Sequence, residues 1–316
     1  MIIPFLVSHE NSQLPAWLNG WLSPLRQAMP DEQIVPFEAL SEADKLACEV
    51  AIVANPEPAQ LAQLPNLKWV HSVWAGVERM LAELPESDLA VVRLVDPRLA
   101  NTMAEAVLTW ALYLHRLGPQ YAQQQSQRVW RALEYVRPER RTIGILGMGE
   151  LGKCTALRLR GAGFRVMGWS RSGTSVPDVE TLSGEAGLRE MLAQSDIVVC
   201  LLPLTAETRG LLNAEQLARM KPGAAIINFA RGPIIDEAAL WAALDHGSLG
   251  YAVLDVFDQE PLPEDAWFWD HPKVTVLPHC SGPTDRESAA QIVAGNIARF
   301  RESGDIPPAV DRQRGY

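Results

Sequence analysis

The segment Thr142-Ile-Gly-Ile-Leu-Gly-Met-Gly-Glu-Leu-Gly152 constrains this chain more than any other. A short apolar run, residues 143–146, passes without a break into Gly147-x-Gly149-x-x-Gly152, and apolar residues at helical spacing follow: Leu151, Ala156, Leu157, Leu159. A strand that turns on glycine into a helix is the context of a dinucleotide-binding βα unit. The first glycine permits the tight turn, the second lets backbone approach a pyrophosphate, and the third lets the helix lie close to the strand. The helix start offers unpaired N–H groups and a positive dipole end to the phosphates. Gly147, Met148, Gly149, Glu150, Leu151 and Gly152 are therefore candidate cofactor contacts.

The next strand pattern, residues 164–169, ends on Ser170-Arg171-Ser172. A chain that takes NAD usually carries Asp or Glu there to bind the ribose 2′-hydroxyl. Here no carboxylate follows the strand to repel a 2′-phosphate, and the guanidinium of Arg171 can pair with one. The segment predicts NADP as the preferred cofactor, with NAD left open, and adds Ser170, Arg171 and Ser172 to the contacts. The alternative is a solvated loop arginine.

Around this unit, strand-like and helix-like runs alternate along all 316 residues. Strand patterns fall at residues 2–7, 50–54, 67–72 and 91–95, then at 143–147, 164–169, 197–202, 225–229, 251–256 and 274–277. Such alternation predicts parallel sheets with helices on both faces, and the length admits two domains with separate cores. Asp96-Pro97 ends a strand. Thr102-Met-Ala-Glu105 then fits a capping box ahead of Met103, Ala106, Val107, Trp110, Ala111, Leu114 and Leu117, so a broadly buried helix is expected to start there. A polar stretch, 120–131, and a basic one, 137–141, lead into the fingerprint strand. A further helix is expected over 285–300, followed by a tail without period.

A formal net charge of −10 argues against nucleic acid or an anionic membrane as partner. The four cysteines show no C-x-x-C spacing, and Cys154 and Cys200 read as small core residues of a reducing compartment. The opening Met1-Ile-Ile-Pro-Phe-Leu-Val lacks a basic lead, and no run reaches membrane-spanning length. The expectation is a cytoplasmic protein with no metal site.

Three ionisable residues each follow a strand pattern in the second half: Arg231, Glu260 and His279. In an open α/β sheet the carboxyl ends of the strands face the ligand crevice, so three strands can deliver these side chains to one place. The set suits hydride transfer to a 2-oxo acid. His279 can protonate the carbonyl oxygen as general acid, Glu260 can favour the imidazolium, and Arg231 can hold the carboxylate and polarise the carbonyl. His271, in Asp-His-Pro, reads instead as a helix-to-strand connector.

These motifs together resemble the D-isomer-specific 2-hydroxyacid dehydrogenase family along nearly the whole chain. Residues 201–211 resemble the family's loop beside the nicotinamide, 221–232 its arginine motif, 254–262 its glutamate motif and 277–279 its histidine motif. The resemblance implies two doubly wound parallel-sheet domains. Residues 1–97 would form a smaller, flavodoxin-like substrate domain and 98–284 the Rossmann domain, with 285–316 returning to the first. It implies Leu202, Pro203, Thr208, Phe229, Ala230, Asp255, Ser281 and Gly282 as further cofactor contacts. It also implies that Trp74, Ala75, Gly76 and Val77 form a loop binding the substrate carboxylate. Trp74 stands where many members have a small residue; it either walls the pocket or belongs to the core. A homodimer is implied too, with Trp130 reaching the partner's site as an aromatic does in some relatives.

Within the family, Gly168-Trp-Ser-Arg171, the Trp-x-x-His-Pro connector at 269–272 and the ending at 310–316 resemble the branch that reduces glyoxylate and hydroxypyruvate with NADPH. Cys280-Ser-Gly-Pro-Thr284 departs from the more apolar run of that branch. Two alternatives stay open. One is an NAD(H)-binding, corepressor-like regulatory module, against which the intact Arg231, Glu260 and His279 argue. The other is a dehydrogenase for a bulkier 2-oxo acid.

Overall fold

The structure, a computed structural model, describes residues 1–8, 14–84, 88–171, 173–312 and 314–315. The chain divides into two compact units, Met1–Arg98 with Thr284–Tyr316, and Leu99–Pro283.

The first unit is built on β1 (Ile2–Val7), β2 (Gln33–Pro36), β3 (Val50–Ala54), β4 (Trp69–Ser72) and β5 (Ala90–Val92). All pair in parallel, in the order β2–β1–β3–β4–β5, a doubly wound order. Every residue of β3 is buried, as expected of a central strand covered on both faces. The helices are α1 (Pro15–Ala28), α2 (Glu42–Ala47), α3 (Pro58–Leu61), α4 (Glu78–Glu83) and, from the end of the chain, α11 (Arg286–Ser303). One face of the sheet is closed by α1 and α11: Trp21, Leu22 and Leu25 share a core with Ala289, Val293, Ile297 and Phe300. The Asp285 carboxylate caps α11 by accepting the Ser288 N–H at 2.7 Å. Beyond it, Val310 donates its N–H to the Val91 carbonyl at 2.8 Å.

The second unit holds seven parallel strands in the order β12–β11–β10–β9–β6–β7–β8. They are β6 (Thr142–Leu146), β7 (Arg165–Trp169), β8 (Glu180–Leu182), β9 (Ile197–Cys200), β10 (Ala224–Asn228), β11 (Leu249–Leu254) and β12 (Val274–Val276). From β6 the sheet grows first toward β7 and then, through β9, the other way. That switch point is where open α/β sheets bind ligands. The helices are α5 (Pro97–His115), α6 (Gly118–Ser126), α7 (Glu150–Gly161), α8 (Gly184–Gln194), α9 (Ala214–Leu217) and α10 (Glu237–Asp245). Two apolar clusters flank the sheet, one including Met191, Leu217 and Leu240, the other Val107, Ala156 and Leu159. No helix among the described residues is long and apolar enough to cross a membrane.

Several local expectations are corrected. The helix expected to start at Thr102 starts at Pro97. Asp96 does not simply end a strand: its carboxylate accepts the Arg98 N–H at 2.8 Å and a bond from the Ser288 hydroxyl. An acidic cap followed by proline is a stronger start than the capping box, since proline suits the first helical turn. Two strands had no sequence signal. β2 and β8 are short edge strands, and an edge strand need not be an apolar run. Part of the polar stretch is α6, opened by Pro119 and burying only Gln124. Cys154 is half-exposed on α7 rather than a core residue, its thiol donating to Asn101 Oδ1 at 3.4 Å.

Candidate active site

The fingerprint folds as its glycines require. Gly147 has φ of +102°, where a side chain would be strained, and its N–H donates to the Trp169 carbonyl at 2.9 Å. A Cβ on Gly152 would collide with the Gly147 carbonyl oxygen, so only glycine lets α7 start this close to β6. Among the described residues, no atom comes within 4 Å of where a Cβ on Gly149 would lie. Open space beside the start of a helix is what a pyrophosphate needs. Around it, Met148 is buried in the core, which leaves its backbone to a ligand. Leu151 is partly buried, and Glu150 pairs on the surface with Lys153 at 3.2 Å.

The end of β7 carries a correction. Ser170 is buried, and its hydroxyl accepts the Thr174 N–H at 3.0 Å. Ser172 lies outside the described residues. Arg171 does have a carboxylate beside it: Glu207, 36 positions along, meets Arg171 Nη1 at 2.6 Å. A contact over that separation leaves no periodic trace, so nothing in the local pattern flagged it.

Arg231, Glu260 and His279 are brought together by the ends of β10, β11 and β12. The buried Asn228 shapes the turn that carries Arg231. Its side chain accepts the Ala230 N–H at 3.1 Å and donates to the Arg231 carbonyl at 3.0 Å. A Cβ on Gly232 would strike the backbone of Phe257, so glycine lets the arginine turn lie against the glutamate turn. Glu260 is held from both oxygens. Oε1 accepts the Phe257 N–H at 2.9 Å and Oε2 lies 2.7 Å from His279 Nδ1. His279 itself sits at φ of +52°. Its N–H donates to the Asp255 carbonyl at 3.0 Å, and the buried Asp255 carboxylate takes the N–H groups of Cys280 and Ser281 at 2.8 and 2.9 Å. Asp255 thus ties down the loop on which His279 stands.

The electrostatics follow from this geometry. The hydrogen bond from Glu260 raises the His279 pKa above the usual imidazole range, against burial and the charge of Arg231; Asp255 adds to the rise. Burial pushes the Glu260 carboxyl up, but the His279 hydrogen bond, the Phe257 N–H and the charges of His279 and Arg231 outweigh it, so its pKa is lowered. The pair therefore favours an imidazolium against a carboxylate. Asn228 was not anticipated; a lone amide ending an apolar run was its signal.

The remaining residues singled out in the sequence divide. Leu202, Phe229 and Ala230 are buried at the ends of β9 and β10. Pro203 and Thr208 belong to one turn, the Thr208 hydroxyl donating to the Pro203 carbonyl at 2.7 Å. The Ser281 hydroxyl is buried with no hydrogen-bond partner among the described residues, an orphan a ligand amide could satisfy. Gly282 packs toward Met103 and Leu99. In the first unit, Trp74, Ala75, Gly76 and Val77 link β4 to α4. The Trp74 ring meets Trp21 edge-on at 5.5 Å and packs on the core, which favours its structural reading. His271 accepts the Lys273 N–H at 3.2 Å between the Trp267–Trp269 turn and β12, as a connector should. Trp130 is fully exposed.

A parallel-sheet dinucleotide fold with an Arg–Glu–His set at its strand ends defines a class, and comparison places the chain within it. The family model for the D-isomer specific 2-hydroxyacid dehydrogenase, NAD binding domain, matches residues 108–281. Over 308 residues the chain is 35% identical to a glyoxylate/hydroxypyruvate reductase A of Salmonella paratyphi B, covering 95% of this chain and 96% of that one. Among solved structures it is similar to a D-isomer specific 2-hydroxyacid dehydrogenase from Xanthobacter autotrophicus Py2 in complex with NADPH and MES (TM-score 0.91, 37% identity, 100% and 99% of the two chains). It is also similar to an NADPH-dependent glyoxylate/hydroxypyruvate reductase from Sinorhizobium meliloti in complex with NADP and sulfate (TM-score 0.90, 33% identity, 100% and 99%). The chain belongs to the D-isomer specific 2-hydroxyacid dehydrogenase family.

Proposed function

We propose that this protein reduces small 2-oxo acids, glyoxylate and hydroxypyruvate, to their 2-hydroxy acids with NADPH. The observation that carries the reading is the 2.7 Å contact between His279 Nδ1 and Glu260 Oε2, with the charge of Arg231 acting on both. The names of the relatives support the substrate class, and the NADP-bound neighbours support the cofactor.

The residues present fit NADPH. Gly147, Gly149 and Gly152 with the start of α7 would hold its pyrophosphate, and Arg171 with Ser170 its 2′-phosphate. Leu202, Pro203, Thr208, Phe229, Ala230, Ser281 and Gly282 would frame the remainder, and Asp255 serves by fixing the loop of residues 279–282. When bound, the cofactor supplies a hydride. The chain does the rest. Arg231 pairs with the substrate carboxylate and polarises the carbonyl. His279, its Nδ1 held by Glu260, presents Nε2–H to the carbonyl oxygen and gives up that proton as negative charge develops there.

The same reading takes the protein as cytoplasmic and homodimeric, supported by its free cysteines and by the exposed Val129, Trp130 and Tyr135. Light scattering at micromolar concentration tests the dimer; a monomer sinks it. The activity is tested by crossing NADPH and NADH with glyoxylate, hydroxypyruvate, pyruvate and phenylpyruvate. Fastest turnover is expected with NADPH and the two small substrates. No turnover with any of them would remove the reading.

A further inference from the structure

We infer that Glu207 sets how strongly this chain discriminates NADPH from NADH, by competing with the cofactor's 2′-phosphate for the Arg171 guanidinium. The inference rests on the NADPH reading above and concerns a residue that reading leaves without a role.

Three observations lead to it. The first is the contact itself: Arg171 Nη1 meets Glu207 Oε2 at 2.6 Å, so the cation assigned to the phosphate already has an anionic partner. The second is that the carboxylate is presented by a braced turn. Thr205 N–H donates to Thr208 Oγ1 at 2.8 Å, and Thr208 N–H to Thr205 Oγ1 at 3.3 Å. The Thr208 hydroxyl donates to the Pro203 carbonyl, and the Gly210 N–H to the Pro233 carbonyl at 2.8 Å. The brace fixes the backbone from which Glu207 reaches Arg171. The third is exposure. The two side chains keep 44% and 66% of their surface in water, and an ion pair so exposed is weak and opens readily.

The consequence differs between the two cofactors. A 2′-phosphate carries nearly two negative charges and three strong acceptor oxygens, so it takes the guanidinium from a single carboxylate. It competes with Glu207 for the donors of that one guanidinium, and the carboxylate stands as a like charge beside a dianion. NADH has a neutral hydroxyl at that position and leaves the pair closed. Glu207 thus subtracts from NADPH affinity alone. For an exposed pair with residual repulsion, the penalty is roughly 3- to 10-fold in dissociation constant.

The test is a binding measurement that needs no turnover. The full chain, Glu207→Gln, Arg171→Ala and the double variant are titrated by calorimetry with NADPH, NADH, 2′,5′-ADP and 5′-AMP. Glu207→Gln is expected to tighten NADPH and 2′,5′-ADP by roughly 3- to 10-fold and to leave NADH and 5′-AMP unchanged. In the Arg171→Ala background the gain is expected to shrink, because no guanidinium remains to be released. Unchanged or weaker NADPH binding in Glu207→Gln overturns the inference, since the carboxylate would then be neutral or would orient Arg171 for the phosphate. Equal tightening of NADPH and NADH overturns it too, as a general charge effect. Failure of the underlying reading looks different. If Arg171→Ala leaves NADPH binding untouched, Arg171 does not hold the phosphate, and that assignment falls together with the role of Glu207. If Arg171→Ala weakens NADPH while Glu207→Gln does not tighten it, only the role of Glu207 falls.

Discussion

Each unit has a parallel sheet, and each sheet bears a histidine with a partner. His71 lies inside β4 and is completely buried. Its Nδ1 lies 2.9 Å from the Ser72 carbonyl and its Nε2 2.9 Å from the Asn296 amide. Burial lowers its pKa to about 4, and the Ser72 carbonyl offsets only part of that. His279 stands past the end of β12, exposed on one side, with a carboxylate on Nδ1, and its pKa moves up. A histidine within a strand is enclosed by core and stays neutral. One past a strand's carboxyl end meets side chains from neighbouring strands and keeps a nitrogen for a ligand. Position along the strand, and the charge of the partner, decide which histidine can deliver a proton at neutral pH.

The largest expected effect tests that contrast directly. His279→Ala should lower kcat for 2-oxo acid reduction by about 10²- to 10⁴-fold, the range for one positioned general acid, while thermal stability stays near that of the parent. His71→Ala should do the reverse. It opens a cavity and leaves the Asn296 amide unpaired, at a cost of about 2–4 kcal/mol in unfolding free energy, with kcat nearly unchanged in the protein that remains folded. Comparable kcat losses in both variants would erase the distinction between the two histidines.

The pH dependence of stability sharpens it. The folded-state pKa of His71 is depressed, so below its ordinary value of 6.5 the unfolded chain binds the proton and the folded chain does not. Its contribution to stability therefore falls as pH drops from 6.5 to about 4, and levels off where the folded chain also protonates. His71→Asn should flatten that part of a melting-temperature profile. His279, with a raised pKa, has the opposite sign: its pairing stabilises the folded state at low pH, and the benefit fades as pH rises through the folded-state value.

Arg171→Ala asks whether another strand end, that of β7, also faces ligand. Losing one charge-assisted phosphate contact should raise the KM for NADPH by roughly 10- to 100-fold, with far less effect on NADH. Equal effects on both cofactors would detach Arg171 from the 2′-phosphate.

What the residue pattern reveals, and what it hides, follows the same physics. The long buried strands were legible because a strand covered on both faces must be an apolar run; β1 and β3 have the residues that pattern selects. The edge strands β2 and β8 were not, since QIVP and ETL are short and interrupted by polar residues or proline, whereas the edge strands β5 and β12 lie in apolar runs. Gly147 and Gly152 were legible because backbone geometry restricts those positions to glycine, and Gly149 because the fingerprint spacing calls for a glycine where a pyrophosphate approaches. Arg231, Glu260 and His279 were legible as strand-end residues of complementary chemistry. Contacts set by tertiary packing were not. Glu207 reaching Arg171, Asn228 bracing the arginine turn and Trp74 against Trp21 each depend on segments remote in sequence or on a side chain's direction. The start of α5 was misplaced for a simpler reason: two capping signals lay close together, and the buried Asp96 ahead of Pro97 prevailed.

The smallest effect concerns the partner that separates His279 from His71. Glu260→Gln keeps the shape of the side chain and removes its charge. Glu260 is anionic in the parent because the His279 hydrogen bond, the Phe257 N–H and the nearby positive charges outweigh its burial. In the variant, the hydrogen bond on His279 Nδ1 is no longer charge-assisted and the Glu260 charge is gone, while burial and the charge of Arg231 still press the pKa down; Asp255 still favours the cation. The imidazolium then loses its proton at lower pH than in the parent. Reduction needs the protonated ring, so its alkaline limb should move to lower pH. Oxidation of the hydroxy acid needs the neutral ring, so at neutral pH it should suffer less. Arg231→Ala serves as the control of opposite sign: removing its charge should move the reduction limb to higher pH while raising the substrate KM. The measurement is kcat/KM for glyoxylate across about pH 5 to 10 for the three proteins, a span that brackets the ordinary imidazole value and a rise above it. If the limb stays where it was in Glu260→Gln, the carboxylate is not what makes His279 unlike His71, and the source of its proton must be sought elsewhere in the site.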